Sequence, residues 1–378
     1  MTAFLAVQFI FFIYLLLRLV LPLRSSRPTK VLIALILLLI SQHYLVRRAF
    51  GVLGSPELPA FMIMVEGICF STVIFMFLLV LLRDIFSLVR KFSRHRQGIC
   101  KKADFSPERR LAVVTMLSAI PSAYGVRQAV VSPEVRSTEV RLPRLPRELD
   151  GLVLAHVSDL HASALLQKDW VNTVVDTVNS IEADLVLLTG DMVDGELSRR
   201  AESVDVLGRL RSRYGVYGCV GNHEYYSGFE AWTNRFSSLG ITMLCNKHIL
   251  VPINGKMLAI AGVTDKVAVD FDLPPPDRDA ALAGVPQESL RIMLEHRPDN
   301  AKANAASGVD LQLSGHTHGG HAIGMDQLVA HFNSGYVRGW YSEDDMSLYV
   351  NSGAGLWNGF PVRLGVPSEV ARITLRRA

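Results

Sequence analysis

The sequence predicts an α/β domain, a central sheet with helices on its faces, carried behind a transmembrane helical region. Three observations support this. Apolar runs of bilayer length are confined to residues 1–126, and short apolar runs alternate with helical segments from residue 152 onward. Five of those short runs close on stretches rich in Gly, Asp and His. The chain has 378 residues, 49% hydrophobic and 20% charged, and its mean hydropathy of +0.26 is high for a soluble enzyme. Residues 1–150 carry 20 Lys/Arg against 9 Asp/Glu, whereas residues 151–378 carry 19 against 26. The overall net charge of +4 therefore describes neither half. An acidic C-terminal half excludes nonspecific nucleic-acid binding, which needs clustered Lys and Arg facing phosphates.

Residues 1–126 read as a membrane region with about four spans. Residues 3–23 and 61–82 each approach the ~20 apolar residues that a bilayer core requires. Residues 31–46 are almost pure Leu, Ile, Val and Ala up to Ile40, and extend through His43, Arg47 and Arg48 to Phe50, giving a span at about 30–50. Residues 109–126 form the fourth, a signal-anchor helix opening on Arg109-Arg110 and containing Pro121. Arg24, Arg27 and Lys30 lie in one loop, and Arg83, Arg90, Lys91, Arg94, Arg96, Lys101, Lys102, Arg109 and Arg110 in another. Only Arg47 and Arg48 oppose them, so both basic loops are expected in the cytoplasm. Four crossings then place the C-terminal domain outside the cytoplasm in the cell membrane; failure of the fourth would reverse that. Glu66, near the outer end of the third span, reads as an interfacial acid in contact with water. Cys69, Cys100, Cys219 and Cys245 show no pairing pattern; Cys69 and Cys219 read as small buried side chains.

Residues 127–150 read as a linker and first strand, and residues 151–378 as the main domain. Strands are expected at 152–157, 185–189 and 216–220, with two or three across 241–263 and further ones at 290–294, 309–313 and 347–350. Helices are expected at 167–180, 198–211, 228–238 and 298–306. In such folds, ligands bind beyond the carboxyl ends of the strands.

The five strand-end stretches are Ser158-Asp159-Leu160-His161, Gly190-Asp191-Met192-Val193-Asp194, Gly221-Asn222-His223-Glu224, Leu294-Glu295-His296 and Gly315-His316-Thr317-His318-Gly319-Gly320. Asp159 and His161 are two apart, which on an extended chain points both to one side, and His316 and His318 repeat the spacing. Carboxylates, imidazoles and an amide oxygen, without a thiolate, suit Mn, Fe or Zn rather than calcium or a structural zinc. Asp159, His161, Asp191, Asn222, His296, His316 and His318 make two four-ligand sites if one carboxylate bridges. Two cations about 3.5–4 Å apart suit in-line displacement at phosphorus by a bridging hydroxide. His223 is the candidate proton donor to the leaving group, with Glu224 beside it to orient the imidazole. Any one stretch alone would pass as a turn or a helix cap. His156, His248 and His331 read as structural, Asp194 as either a support for a ligand or a cap, and Trp357 as loop packing near the pocket.

These five stretches, in this order, resemble the signature of the calcineurin-like metallophosphoesterases, and the apolar front is similar to a bacterial membrane-anchored branch. The resemblance covers about residues 135–378 and implies a two-sheet β-sandwich flanked by helices. It implies one divalent metal held by Asp159, His161, Asp191 and His318, with Asp191 bridging to a second held by Asn222, His296 and His316. His223 would be the acid on the leaving group. His321 departs from the pattern, since related branches often carry Gln there at a substrate contact. The expected activity is hydrolysis of phosphate mono- or diesters, with lipid or nucleotide–lipid head groups and membrane lipids as partners and no nucleic acid. The rival readings are a noncatalytic membrane protein whose domain binds a partner, and a nuclease on the same fold.

Overall fold

The structure, a computed structural model, describes residues 2–49, 51–52, 55–95 and 106–378. Phe50, Cys100 and the basic residues Arg96, Lys101 and Lys102 lie outside the described residues. The chain divides into two compact units, Met1–Arg127 with Phe360–Val362, and Gln128–Gly359 with Arg363–Ala378.

The first unit contains helices α1 (Thr2–Leu15), α2 (Arg27–Ser41), α3 (His43–Ala49), α4 (Ala60–His95) and α5 (Pro107–Ala129). A minimal hairpin, β1 (Gly51–Val52) and β2 (Ser55–Pro56), precedes α4. Ser26 caps α2 by accepting from the Thr29 N–H, with proline in the first turn where no N–H partner is needed. Among the described residues, one helix is long and apolar enough to cross a membrane, Ala60–Lys91. The α2–α3 pair passes the same criterion only when its two parts, bent by 58°, are taken together. Four spans were expected, and the count falls for two reasons. The apolar helix Leu5–Val20 is shorter than a bilayer core demands. In α5, Thr115, Ser118, Pro121 and Ser122 dilute the apolar run.

Glu66 also differs from expectation. It is ion-paired with Arg47 (Nη2–Oε2 3.0 Å) and with His43, and both partners are buried. A carboxylate in an apolar helical unit is costly without a countercharge, so the arginine counted as a loop charge turns inward to meet it. Cys69 is half-buried, whereas Cys219 is fully buried as expected.

The second unit holds twelve strands: β3 (Glu134–Leu142), β4 (Val153–Val157), β5 (Leu185–Thr189), β6 (Val216–Cys219), β7 (Ile241–Met243), β8 (Lys247–Ile253), β9 (Lys256–Gly262), β10 (Leu290–Leu294), β11 (Leu311–Ser314), β12 (Gly339–Glu343), β13 (Met346–Val350) and β14 (Glu369–Arg377). They form two six-stranded mixed sheets, ordered β3-β14-β4-β5-β6-β7 and β12-β13-β11-β10-β9-β8. Residues on β5 show why both faces must be apolar. Leu185 and Leu187 enter the core shared with Leu258, Ile260, Ile292 and Leu313 of the other sheet. Val186 and Leu188 face the opposite way, onto Val171, Val175, Trp232 and Phe236 of helices α6 (Lys168–Asn179) and α9 (Phe229–Ser238). A strand buried on both faces reads as one continuous apolar run, which is why periodicity alone pointed to a single sheet covered by helices.

Strands β12 and β14 were not anticipated. β14 pairs parallel to β3 and antiparallel to β4, so the last strand is inserted between two early ones. Within the first sheet β4, β5 and β6 run parallel, and within the second β9, β10, β11 and β13 do. Their carboxyl ends carry all five Gly/Asp/His stretches.

Leu187→Ala, at a fully buried site in the core between the sheets, is expected to destabilise the domain by about 3 kcal/mol. Thermal unfolding of the detergent-solubilised chain followed by circular dichroism measures it.

Candidate metal centre

Each ligand candidate stands two to four residues past a parallel strand, where the backbone turns away from the ladder. Asp159, His161, Asp191, His316 and His318 all have positive φ, between 48° and 71°. This corrects the expectation that Asp159 and His161 share one side of an extended chain: β4 ends at Val157, and the pair sits in left-handed turns instead. Such conformations cost of order 1–3 kcal/mol each and persist where surrounding contacts determine them. Here the contacts are backbone bonds between adjacent turns: Asp159 N–H donates to Gly190 O (3.0 Å) and His161 N–H to Asp191 O (3.0 Å).

The glycines before the ligands are sterically required. A Cβ on Gly221 would overlap the Asp191 carboxylate, and one on Gly315 would overlap Ser158 and the Asp159 carboxylate. The two sheets meet at these points. His316 N–H donates to both Asp159 oxygens (3.2 and 3.0 Å), and His296 Nδ1 donates to Thr189 O (2.8 Å) across from β5.

The donor atoms of Asp159, His161 and His318 lie within 4.8 Å of one another, as do those of Asp191, His296 and His316. Asp191 joins the two sets. Its Oδ1 accepts from the His223 N–H (2.8 Å), while its Oδ2 lies 3.2 Å from His296 Nε2, 3.8 Å from His161 Nε2 and 3.9 Å from His223 Nε2. Asn222 opens the short helix α8 (Asn222–Ser227), and its Oδ1 is buried with no hydrogen-bond partner. The structure therefore gathers the seven predicted ligand residues around the strand ends of both sheets.

A third set of donors, His161, Asp194 and His223, lies alongside. Asp194 Oδ1 is 3.1 Å from His161 Nδ1 and 2.5 Å from His223 Nδ1. An ionised carboxylate only accepts, so both imidazoles carry their proton on Nδ1 and turn Nε2 toward the centre. The role expected of Glu224 thus belongs to Asp194. Glu224 faces the other way and accepts backbone N–H groups from Gly221 (2.7 Å), Asp191 (3.0 Å) and Met192 (2.7 Å). The reason is its place in the first turn of α8, where a carboxylate reaches back to the N–H of the residue before the helix, Gly221.

Electrostatics follow this crowding. Burial works to raise the Asp191 carboxyl, but His296, His223 and His161 hold it well below the usual carboxylate range. Burial likewise opposes charge on His223 and His296, yet Asp191, with Asp194 for His223, pushes them up to about 9 and about 10. Burial lowers His316 and His318 well below the ordinary imidazole value and raises Asp159.

The donor set fits divalent cations. His161 Nε2 and His318 Nε2 face each other at 3.3 Å, and His316 Nδ1 and His296 Nε2 at 3.2 Å. Buried imidazole nitrogens converge this way only around a shared proton or a cation, and the unpartnered Asn222 Oδ1 and His318 Nδ1 are acceptor and donor groups that burial alone would penalise.

Several residues were not anticipated. Arg297 Nη1 lies 2.7 Å from His316 Nε2, while its Nε donates to the buried Asp265 (2.7 Å). Arg363 is buried and donates to the carbonyls of Ser352, Gly353 and Gly355; Gly355 N–H in turn donates to Asp159 O. Only adjacency to His296 could have marked Arg297, and nothing in sequence marked Arg363. The rings of Trp357 and Tyr226 stand nearly perpendicular to that of His223, at 6.2 and 5.3 Å between centroids. His321 stands 5.1 Å from His318, ring to ring. His156, read as structural, is buried against Thr189 Oγ1 (2.8 Å).

Asp191→Ala is expected to reduce bound metal to less than half that of the parent protein, because one carboxylate serves both donor sets. Gly315→Ala is expected to lower metal content while leaving the fold intact. Elemental mass spectrometry with circular dichroism checks both.

The pattern of the calcineurin-like phosphoesterase family matches residues 152–320. An uncharacterized metallophosphoesterase of Helicobacter pylori is 34% identical over 284 residues, 73% of this chain and 74% of that one. A Danio rerio protein named transmembrane protein with metallophosphoesterase domain is 30% identical over 278 residues, 71% of this chain and 63% of its own length. An uncharacterized metallophosphoesterase of Bacillus subtilis is 26% identical over 262 residues, 67% of this chain and 90% of that one. With the ordered ligand stretches on two packed sheets, these similarities place the chain in the calcineurin-like metallophosphoesterase family.

Proposed function

We propose that this protein is a membrane-anchored phosphohydrolase that uses two divalent cations, Mn, Fe or Zn, to cleave phosphate mono- or diesters. The observation that supports it is Asp191: one carboxylate faces donors from both sheets, with His223 and Asp194 alongside. Asp159, His161, Asp191 and His318 would hold one cation and Asp191, Asn222, His296 and His316 the other. When bound, the pair supplies Lewis acidity, acidifying a water and neutralising charge on phosphoryl oxygens.

The protein's own groups do the rest. His223 turns Nε2 to the centre with its Nδ1 proton held by Asp194, so an imidazolium here has a proton to give to the leaving oxygen. Asp194 is a positioning residue for both His223 and His161. Glu224 fixes the turn that bears Asp191 by taking up three N–H groups. Arg297 offers a guanidinium at the edge of the donor set, where it can pair with a phosphoryl oxygen.

Membrane attachment is supported by helix Ala60–Lys91. A tethered catalytic domain meets lipid-borne phosphoesters at raised local concentration. Extracytoplasmic placement, the reading of the basic loops, requires α5 to cross.

His223→Ala is expected to keep its metal and to slow turnover of phosphodiesters, least for a p-nitrophenolate leaving group and by about a hundredfold or more for an alkoxide. Equal slowing across leaving groups would remove His223 from the role of acid. Alkaline phosphatase fused after Ala378 is expected to be active in cells, and an active β-galactosidase fusion instead would put α5 on the cytoplasmic surface.

A further inference from the structure

Exposed apolar side chains follow the His316/His318 turn closely in the chain. Just past the His316/His318 turn, residues 323–332 expose Ile323 (71%), Leu328 (58%) and Phe332 (71%). Leu328 and Phe332 are four apart on helix α12 (Asp326–Phe332), hence on one side, and α12 buries none of its residues. Every longer helix of the domain packs an apolar face; α6 buries Val171, Val174, Val175 and Val178. Exposed apolar side chains grouped on one side of a helix mark an interaction surface.

This helix is tied to the catalytic turn. Arg338 donates to Gly319 O (2.7 Å), beside His318, and pairs with Asp326 in the first turn of α12 (3.8 Å). Next to His223, Tyr226 is 53% exposed and its ring lies 6.0 Å from that of Phe271, which is 41% exposed. Exposed apolar side chains thus lie both beyond the His318 turn and beside His223. A tyrosine ring with its polar tip, together with exposed apolar anchors, suits the headgroup level of a bilayer.

We infer that Ile323, Leu328 and Phe332 seat the domain on a phospholipid bilayer and guide the apolar tail of a lipid phosphoester toward the metal centre. A bilayer is the occupant we assign, because helix Ala60–Lys91 is long and apolar enough to cross one and would tether the domain beside it. The inference rests on the hydrolase reading for its catalytic consequence but not for docking, and the two are separated by experiment.

The full chain is placed in phosphatidylcholine nanodiscs containing a diazirine-bearing phosphatidylcholine, photolysed, and digested for mass spectrometry. Label on the 321–335 segment, lost in the Ile323→Ser/Leu328→Ser/Phe332→Ser variant, is the expected result. Label confined to residues 2–129 overturns the docking. So does a self-association that the serine variant abolishes without any label on 321–335, which would assign the face to a second copy.

In the same nanodiscs with Mn²⁺, kcat/KM is compared for dodecyl and ethyl p-nitrophenyl phosphate, which share the bond that breaks. The serine variant is expected to leave the ethyl ester unchanged and to lower the dodecyl-to-ethyl ratio about tenfold or more, as loss of tail burial requires. An unchanged ratio overturns the tail-guiding role. Cleavage of neither ester, with label present on 321–335, overturns the hydrolase reading and leaves the docking standing.

Discussion

The buried carboxylate of Asp191 is the constraint on which the centre depends. One oxygen is fixed by the His223 backbone N–H, and the other faces imidazoles from both sheets. Removed from water, a carboxylate requires compensation, and here imidazoles from distant turns provide it. That demand explains why Glu224 must clamp the surrounding turn and why Gly221 can carry no side chain.

The left-handed backbone at five of the ligand positions follows from the same demand. A strand presents alternate side chains to opposite faces, which would scatter the ligands. Abrupt turns after β4, β5 and β11 instead point them into one volume. The turns are unfavourable alone; the core between the sheets, filled by Leu154, Leu187, Ile260, Ile292 and Leu313, and the hydrogen bonds between neighbouring turns offset them. Arg363 extends this scaffold to the last loop by gathering three carbonyls beneath Asp159.

In the helical unit the same physics acts in a drier setting. Glu66 and Arg47 neutralise each other between helices, a pairing that hydropathy could not show because it depends on the bend between α2 and α3. That bend also reduces the number of helices that qualify as spans.

By itself the sequence determined the types of the candidate ligands, their order, and their position after apolar runs, because metal chemistry restricts residue type and the carboxyl ends of strands restrict place. Most strands and helices of the metallophosphoesterase domain were likewise legible from apolar runs and their punctuation. The two stacked sheets were expected from the order of the motifs rather than from periodicity, and only the tertiary structure decided that β14 enters between β3 and β4 and that Asp194 rather than Glu224 holds His223. These depend on pairings between residues far apart in the chain, or on local turns where Glu224 finds three backbone donors before it can reach an imidazole. Composition and spacing carry no record of such competition.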